Sequence, residues 1–164
     1  METAFAELPL ALFTTLASVG AGAFVALAAV VFATAYDEEA LRKIDRMAVV
    51  PLAVVLVAFV CAFFHLASPL NAFGVFAGVG SSPLSNELVA GCLFFVVALV
   101  YGILGVAGKL SVGARKGLLA VCAALAVVFA AFMGLAYLMG TIPSWDQPAT
   151  VAQMLGYLLL GGTA

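Results

Sequence analysis

The sequence predicts an all-α membrane protein, a bundle of four transmembrane helices followed by the start of a fifth, with the N-terminus outside the cell. Its 164 residues are 66% hydrophobic and only 9% charged, and the mean hydropathy is +1.28. Soluble domains carry about 45–50% apolar and about 25% charged residues, so this composition cannot cover a water-facing surface. Soluble, disordered and nucleic-acid-binding classes are therefore excluded.

Long uncharged runs locate the spans. A spanning helix needs about 20 apolar residues, because the hydrocarbon core is about 30 Å thick and each residue adds about 1.5 Å. Lipid offers no partner for unpaired backbone groups, and the runs lack the alternation of a membrane β-barrel, so the spans must be helices. Four spans are predicted, at about 9–35, 47–67, 87–108 and 117–140.

A fifth apolar segment begins at about residue 150, after Asp146 and Pro148. Its apolar part is too short to cross a bilayer comfortably, and it ends in Gly161 and Gly162. We expect a fifth helix that is cut short in a fragment of a longer protein, with Leu158–Leu160 lacking packing neighbours. A four-helix protein with a short interfacial tail is the alternative.

The basic residues predict the orientation. The second loop, about 68–86, and the fourth, about 141–150, contain no Lys or Arg. The positive-inside rule therefore places the first and third loops in the cytoplasm and the N-terminus outside. The first apolar run is also far longer than the core of a signal peptide, so it is a span. All six basic residues lie in the first and third loops: Arg42, Lys43, Arg46, Lys109, Arg115 and Lys116.

Two ionisable residues mark one membrane boundary. His65 ends the second predicted span, and Asn86 and Glu87 begin the third. Because these spans run antiparallel, an imidazole and a carboxylate meet at the outer face. Ionisable groups in membrane segments are costly and are functional candidates by default. In the alternative reading Ser85 caps the third helix, and Glu87, in the first turn of that helix, interacts favourably with the helix dipole. His65 then forms a hydrogen bond with a nearby carbonyl at the end of its helix.

The pair suits a quinol. An imidazole and a carboxylate can both take up protons, and the ring of a quinol would lie at the interface with its tail in lipid. A bundle that holds b-type haem typically supplies two histidines, and this chain has one. The sequence shows no metal-ligand cluster, phosphate loop or nucleophile triad. Four aromatic residues surround the predicted site: Phe63, Phe64, Phe73 and Phe76.

Several segments, in order, resemble the membrane-anchor subunit of dimethyl sulfoxide reductase. They are Glu7–Thr14, His65–Phe73, and Leu84–Glu87 followed by Gly91, and Ile142–Trp145 is similar to the family's loop before its fifth helix. Members of the family have eight spanning helices and an outward N-terminus. The resemblance therefore implies that this chain is the first half of such a subunit.

The resemblance implies an anchor in the bacterial inner membrane that holds a molybdopterin catalytic subunit and an iron–sulfur electron-transfer subunit. Such an anchor oxidises menaquinol in anaerobic respiration and passes the electrons to the iron–sulfur subunit, without haem of its own. The positions that match the family's quinol site are His65 and Glu87, with Ser68 and Asn86 as further binding candidates. Where the family often has Arg, this chain has Asn71. If the family's Arg contacts a partner subunit or the quinone, docking or affinity is expected to differ in this chain.

Two other classes remain open at the level of the sequence. One is a purely structural anchor or assembly bundle, in which His65 and Glu87 only cap helices. The other is a related polysulfide-reductase-type membrane subunit or a small transporter. A transporter more often shows broken helices in matched halves or charges near the bilayer midplane, and the sequence shows neither. We therefore predict quinol oxidation in an anchor subunit.

Overall fold

The computed structural model describes the backbone of residues 8–65, 69–138 and 143–163, and the side chains of residues 8–64, 74–138 and 143–163. Within these residues the protein is helical and has no β-strand. A 3-10 helix over Pro69–Gly78 lies between the third and fourth α-helices. The α-helices are α1 Leu8–Ala33, α2 Glu38–Met47, α3 Val49–His65, α4 Pro83–Val106, α5 Val112–Ala136 and α6 Pro148–Thr163.

Four of these helical segments are long and apolar enough to cross a membrane: α1, the continuous run Glu38–Phe64, α4 and α5. The shortest has 24 residues, which extend about 36 Å and exceed the hydrocarbon core of about 30 Å. The predicted all-α class with four spanning helices is confirmed. Helix α6 has 16 residues, which extend about 24 Å.

The charged segment after α1 forms a helix, although the sequence analysis treated it as a loop. Asp37 caps α2, because its Oδ1 accepts a hydrogen bond of 2.8 Å from the N–H of Ala40. The helix is stabilised through its dipole by acidic residues in the first turn, Glu38 and Glu39, and by a basic residue in the last turn, Arg46. Only Ala48 separates α2 from α3, so the charged turns extend the second span beyond its apolar run.

Two further helix starts differ from the prediction. Helix α4 begins at Pro83, four residues before the predicted start, because proline is favoured in the first turn of a helix. Helix α5 begins at Val112, where the hydroxyl of Ser111 accepts a hydrogen bond from the N–H of Ala114. Arg115 and Lys116 therefore lie in a helix, and of the third loop's basic residues only Lys109 lies in the connection.

Helix α1 packs against α3, α5 and α6, and α4 packs chiefly against α5. Aromatic rings from four helices meet in the centre of the bundle. Phe59 stacks on Phe129 with ring centroids 6.2 Å apart, and Phe94 meets Phe24 edge-on at 5.6 Å. Close packing of this kind drives helix association in lipid, where the hydrophobic effect between helices is absent.

Helix α6 packs closely on α1 at glycines. A Cβ atom at Gly22 would overlap the backbone carbonyl of Leu158, and one at Gly162 would overlap the backbone of Gly22. Leu158 is 0% exposed, so the expectation that it lacks neighbours is wrong, whereas Leu159 and Leu160 are exposed. The glycines near the end of α6 act as a packing surface, as small residues often do between membrane helices.

Candidate functional site

Buried polar side chains occur at both ends of the bundle. We call the end at which α1 and α4 begin and α3 finishes the His65 end. The opposite end, at which α1 and α4 finish and α5 begins, is the Arg115 end. The two ends differ in how their charged groups are partnered.

Glu87 lies at the His65 end, in the second turn of α4, and is 5% exposed. It shares a buried helix face with Ala90, Gly91 and Phe94, which follow at helical spacing. None of the residues that the structure describes forms a hydrogen bond or ion pair with its carboxylate. Since the first turn of α4 contains no acidic residue, the reading of Glu87 as a first-turn dipole partner is wrong.

Aromatic rings lie one helical turn from Glu87. A Cβ atom at Gly91 would lie 2.8 Å from the ring of Phe129 and 3.0 Å from that of Phe59. The glycine therefore lets these rings approach the backbone of α4 directly beneath the carboxylate. Phe59 also meets Phe95 with ring centroids 5.7 Å apart, so α3 and α4 lie side by side here and run antiparallel.

His65 is the last residue of α3, and its backbone lies at the end of the bundle where α4 begins. Its side chain, Ser68 and the side chains of Asn71 and Phe73 lie outside the described residues, so the pairing of His65 with Glu87 stays a prediction. Phe63, Phe64 and Phe76 are exposed, and the first two meet edge-on at 6.1 Å. These three rings face outward from the bundle.

Asn86 holds the chain that precedes α4. Its side-chain Oδ1 accepts a hydrogen bond of 2.7 Å from the N–H of Gly80. Asn86 also lies at the end of an open apolar groove of about 170 Å³ between α4 and α5. The alternative reading, in which Ser85 caps the helix, is wrong, because the N-cap is Ser82 and Ser85 is a buried residue within the first turn.

Sequence reasoning missed a polar contact between α1 and the end of α5. The hydroxyls of Thr14 and Tyr137 lie 2.8 Å apart and share a hydrogen bond. The ring of Tyr137 meets that of Trp145 edge-on at 5.2 Å. The available signal was Thr14 itself, since a hydroxyl within an apolar span usually bonds a neighbouring helix.

A buried ion cluster occupies the Arg115 end. Arg115 and Asp45 have side chains that are 1% and 2% exposed. Their closest atoms, Arg115 Nη2 and Asp45 Oδ2, lie 2.9 Å apart. The hydroxyl of Tyr101 donates to Asp45 Oδ1 at 2.5 Å, and Arg115 Nη2 also reaches Glu38 Oε1 at 3.2 Å. We call Glu38, Asp45, Tyr101 and Arg115 the ion cluster.

The ion cluster joins α2 to α4 and α5. Arg115 was predicted to lie in a loop, and its pairing with Asp45 was not predicted, because 70 residues separate the two. A buried pair held by several hydrogen bonds fixes the arrangement of the elements that carry it. Gly105 permits this packing, since its Cβ would lie 3.0 Å from the Cβ of Asp45.

Comparison with known proteins places the protein in a family. The family described as DMSO reductase anchor subunit (DmsC) matches residues 1–164, the whole sequence. The chain belongs to the DMSO reductase anchor subunit family. The resemblance seen in the sequence is therefore confirmed. Together with four helices able to span a bilayer, membership of this family makes the protein a multi-pass membrane anchor.

The curated relatives of the chain are subunits of anaerobic dimethyl sulfoxide reductases, which agrees with this family. The chain is 32% identical over 162 residues to the C subunit of anaerobic dimethyl sulfoxide reductase from Haemophilus influenzae. It is 33% identical over 162 residues to the YnfH subunit of anaerobic dimethyl sulfoxide reductase from Escherichia coli K12, and 31% identical over 171 residues to the C subunit from that organism. These matches cover 98–99% of this chain and 57–60% of the relatives. No solved structure matches the protein.

Proposed function

We propose that this anchor protein binds and oxidises menaquinol for a dimethyl sulfoxide reductase-type molybdoenzyme. The observation that supports the proposal most strongly is Glu87, a carboxylate that is 5% exposed within a membrane-spanning helix and has no ionic partner among the described residues. Burying an unpaired ionisable group is unfavourable, so such groups in membrane segments usually mark ion, proton or substrate sites.

Proton acceptance is the role that suits Glu87 and His65. Oxidation of a quinol to a quinone breaks two O–H bonds and releases two protons and two electrons. In our proposal the carboxylate of Glu87 takes one proton and the imidazole of His65 takes the other. The electrons pass to the iron–sulfur subunit, which passes them to the molybdopterin subunit. The anchor itself then needs no haem.

The surroundings of Glu87 suit an amphipathic ring. The rings of Phe59 and Phe129 lie one turn beneath it, on the side of the membrane interior. We propose that Ser68 and Asn86 bind the quinol from the boundary side. Since the oxygen of Asn86 already accepts from Gly80, its amide nitrogen is the group that would donate to a quinol oxygen.

We propose that the His65 end faces outward in the bacterial inner membrane. Five exposed basic side chains belong to the Arg115 end, while Arg115 itself is neutralised within the ion cluster. Basic residues favour the cytoplasmic side. The exposed residues are Arg42, Lys43, Arg46, Lys109 and Lys116.

The test is quinol-dependent reduction of the iron–sulfur clusters in membranes that contain the complete complex. We expect Glu87→Gln and His65→Leu each to slow this reduction by about 10²–10⁴-fold, the usual contribution of a general acid or base. Glu87→Gln retains the shape and most hydrogen-bonding capacity, so it removes proton acceptance without removing packing.

Two controls accompany this test. Activity with an artificial electron donor, which bypasses the anchor, should remain and would show that the complex assembles. Asp146→Asn changes an exposed acid of the same end of the bundle and should reduce the clusters at nearly the wild-type rate. Wild-type reduction in both Glu87→Gln and His65→Leu would make this protein a structural anchor.

A further inference from the structure

The segment that precedes α4 packs against the start of that helix. The described part of the connection between α3 and α4, residues 69–82, consists of the 3-10 helix Pro69–Gly78 and a short turn, and we call it the connecting segment. Among the described residues α3 packs mainly on α1, and both α3 and the 3-10 helix make lighter contacts with α4. The ring of Phe59 in α3 reaches α4 one and two turns beyond Glu87, at Gly91 and Phe95. The connecting segment instead reaches the first turn of α4, just before Glu87.

Gly78 lies against the first turn of α4. A Cβ atom at Gly78 would lie 2.6 Å from Ser85 Oγ and 3.1 Å from Ser82 Cβ, which is closer than atoms can approach without a shift. Ser85 is buried, so its side chain has little room to move away. The carbonyl of Gly78 accepts a hydrogen bond of 2.8 Å from the N–H of Ser82.

Gly80 makes the second contact with α4. It has a φ of +86°, a conformation that glycine adopts readily and other residues rarely do. In this conformation its N–H donates to Asn86 Oδ1 at 2.7 Å. The two contacts therefore fall on Ser85 and Asn86, the residues that immediately precede Glu87.

We propose that Gly78 and Gly80 are positioning residues for the quinol site. They dock the connecting segment on the first turn of α4, immediately before Glu87, and so hold the end of α3, with His65, at a fixed distance from that carboxylate. The inference rests on the proposed quinol function. Two proton acceptors must both reach the hydroxyls of one quinol, and a displacement of about 1 Å can lower a rate by about 10²-fold.

The protein offers a matched pair of glycines for the test. Gly78→Ala inserts a methyl group where Ser85 lies, whereas Gly74→Ala, in the same 3-10 helix, inserts it into open space. In membranes with the complete complex we expect Gly78→Ala to raise the quinol KM or lower the rate of cluster reduction at least tenfold. Gly74→Ala should match wild type.

A second variant should reverse the defect. Ser85→Ala removes the oxygen that the new methyl group would meet, so the double variant Gly78→Ala/Ser85→Ala should recover most of the rate. A general loss of stability would not be reversed in this way. Hydrogen exchange of the amides of residues 74–82 should accelerate in Gly78→Ala, because the Gly80 hydrogen bond opens, and should slow again in the double variant.

The proposal is overturned if Gly78→Ala and Gly74→Ala give equal rates, or if Ser85→Ala restores neither rate nor exchange. It is also overturned if exchange accelerates in Gly78→Ala while quinol oxidation is unchanged. Failure of the proposed quinol function would be seen in a different variant. In that case the complex with Glu87→Gln would reduce its clusters at the wild-type rate.

Discussion

Among the residues that the structure describes, each end of the bundle buries one carboxylate, and the two carboxylates have opposite surroundings. At the Arg115 end, Asp45 accepts hydrogen bonds from a guanidinium and a phenol. At the His65 end, Glu87 forms no hydrogen bond or ion pair with any described residue. Asp45 is 1% exposed and Glu87 is 5% exposed, so the two carboxylates differ in their partners rather than in their burial.

The difference separates a structural role from a functional one. A buried charge that is paired and hydrogen-bonded contributes to the arrangement of the helices that hold it. A buried carboxylate without a partner adds no such contact, and its burial is unfavourable. We therefore assign Asp45 to assembly of the bundle, and we propose that Glu87 exchanges protons with a ligand.

The largest loss of stability should follow removal of the cation from the ion cluster. Arg115→Met leaves Asp45 buried beside only a neutral hydroxyl, and breaking a buried pair in this way costs about 3–5 kcal/mol of folding free energy. Thermal or denaturant unfolding of the purified complex in detergent measures the effect. The double variant Arg115→Met/Asp45→Leu, which leaves no lone charge, should recover much of the loss. Equal stability of Arg115→Met and wild type would show that the cluster does not hold α2.

A smaller loss should follow removal of one hydroxyl. Tyr101→Phe keeps the ring, which packs edge-on against Phe24, but removes the hydrogen bond to Asp45. Hydrogen bonds to charged groups contribute about 1.5–3 kcal/mol, so the loss should be smaller than that of Arg115→Met. In an Asp45→Asn background the same change should matter less, and a double-mutant cycle measures this coupling. Strict additivity of the two changes would contradict the proposed contact.

The sequence predicted the spans well because each is an uncharged run long enough to cross the hydrocarbon core. It predicted the boundaries less well, because charges were taken as the ends of helices. Helix α2 shows why this fails: a spanning helix can continue beyond its apolar run, where Asp37 caps it and most of its charged side chains are exposed, while Asp45 is buried with Arg115. A proline likewise moved the start of α4 back to residue 83.

The candidate site was predicted in part. The position of Glu87 in an otherwise uncharged stretch is visible in the sequence, but its lack of a partner is a property of the packed structure. The converse holds for Arg115, which the sequence shows as one of six basic residues and the structure shows as paired with Asp45, 70 positions away. Long-range pairing cannot be read from local composition. The contact between Gly78 and Ser85 depends on backbone geometry, so the sequence alone did not predict it either.

The division of roles between Glu87 and Asp45 is tested most directly by comparing Glu87→Gln with Asp45→Asn in the complete complex, with two quantities measured on each variant. These are the unfolding midpoint in detergent and the rate of quinol-dependent cluster reduction per assembled complex. We predict that Glu87→Gln lowers the rate of quinol-dependent cluster reduction by at least about 10²-fold and keeps the wild-type unfolding midpoint. Asp45→Asn should lower the midpoint and keep the rate of each assembled complex. A normal rate in Glu87→Gln, or a normal midpoint with a lost rate in Asp45→Asn, would contradict the assignment of proton exchange to one end and assembly to the other.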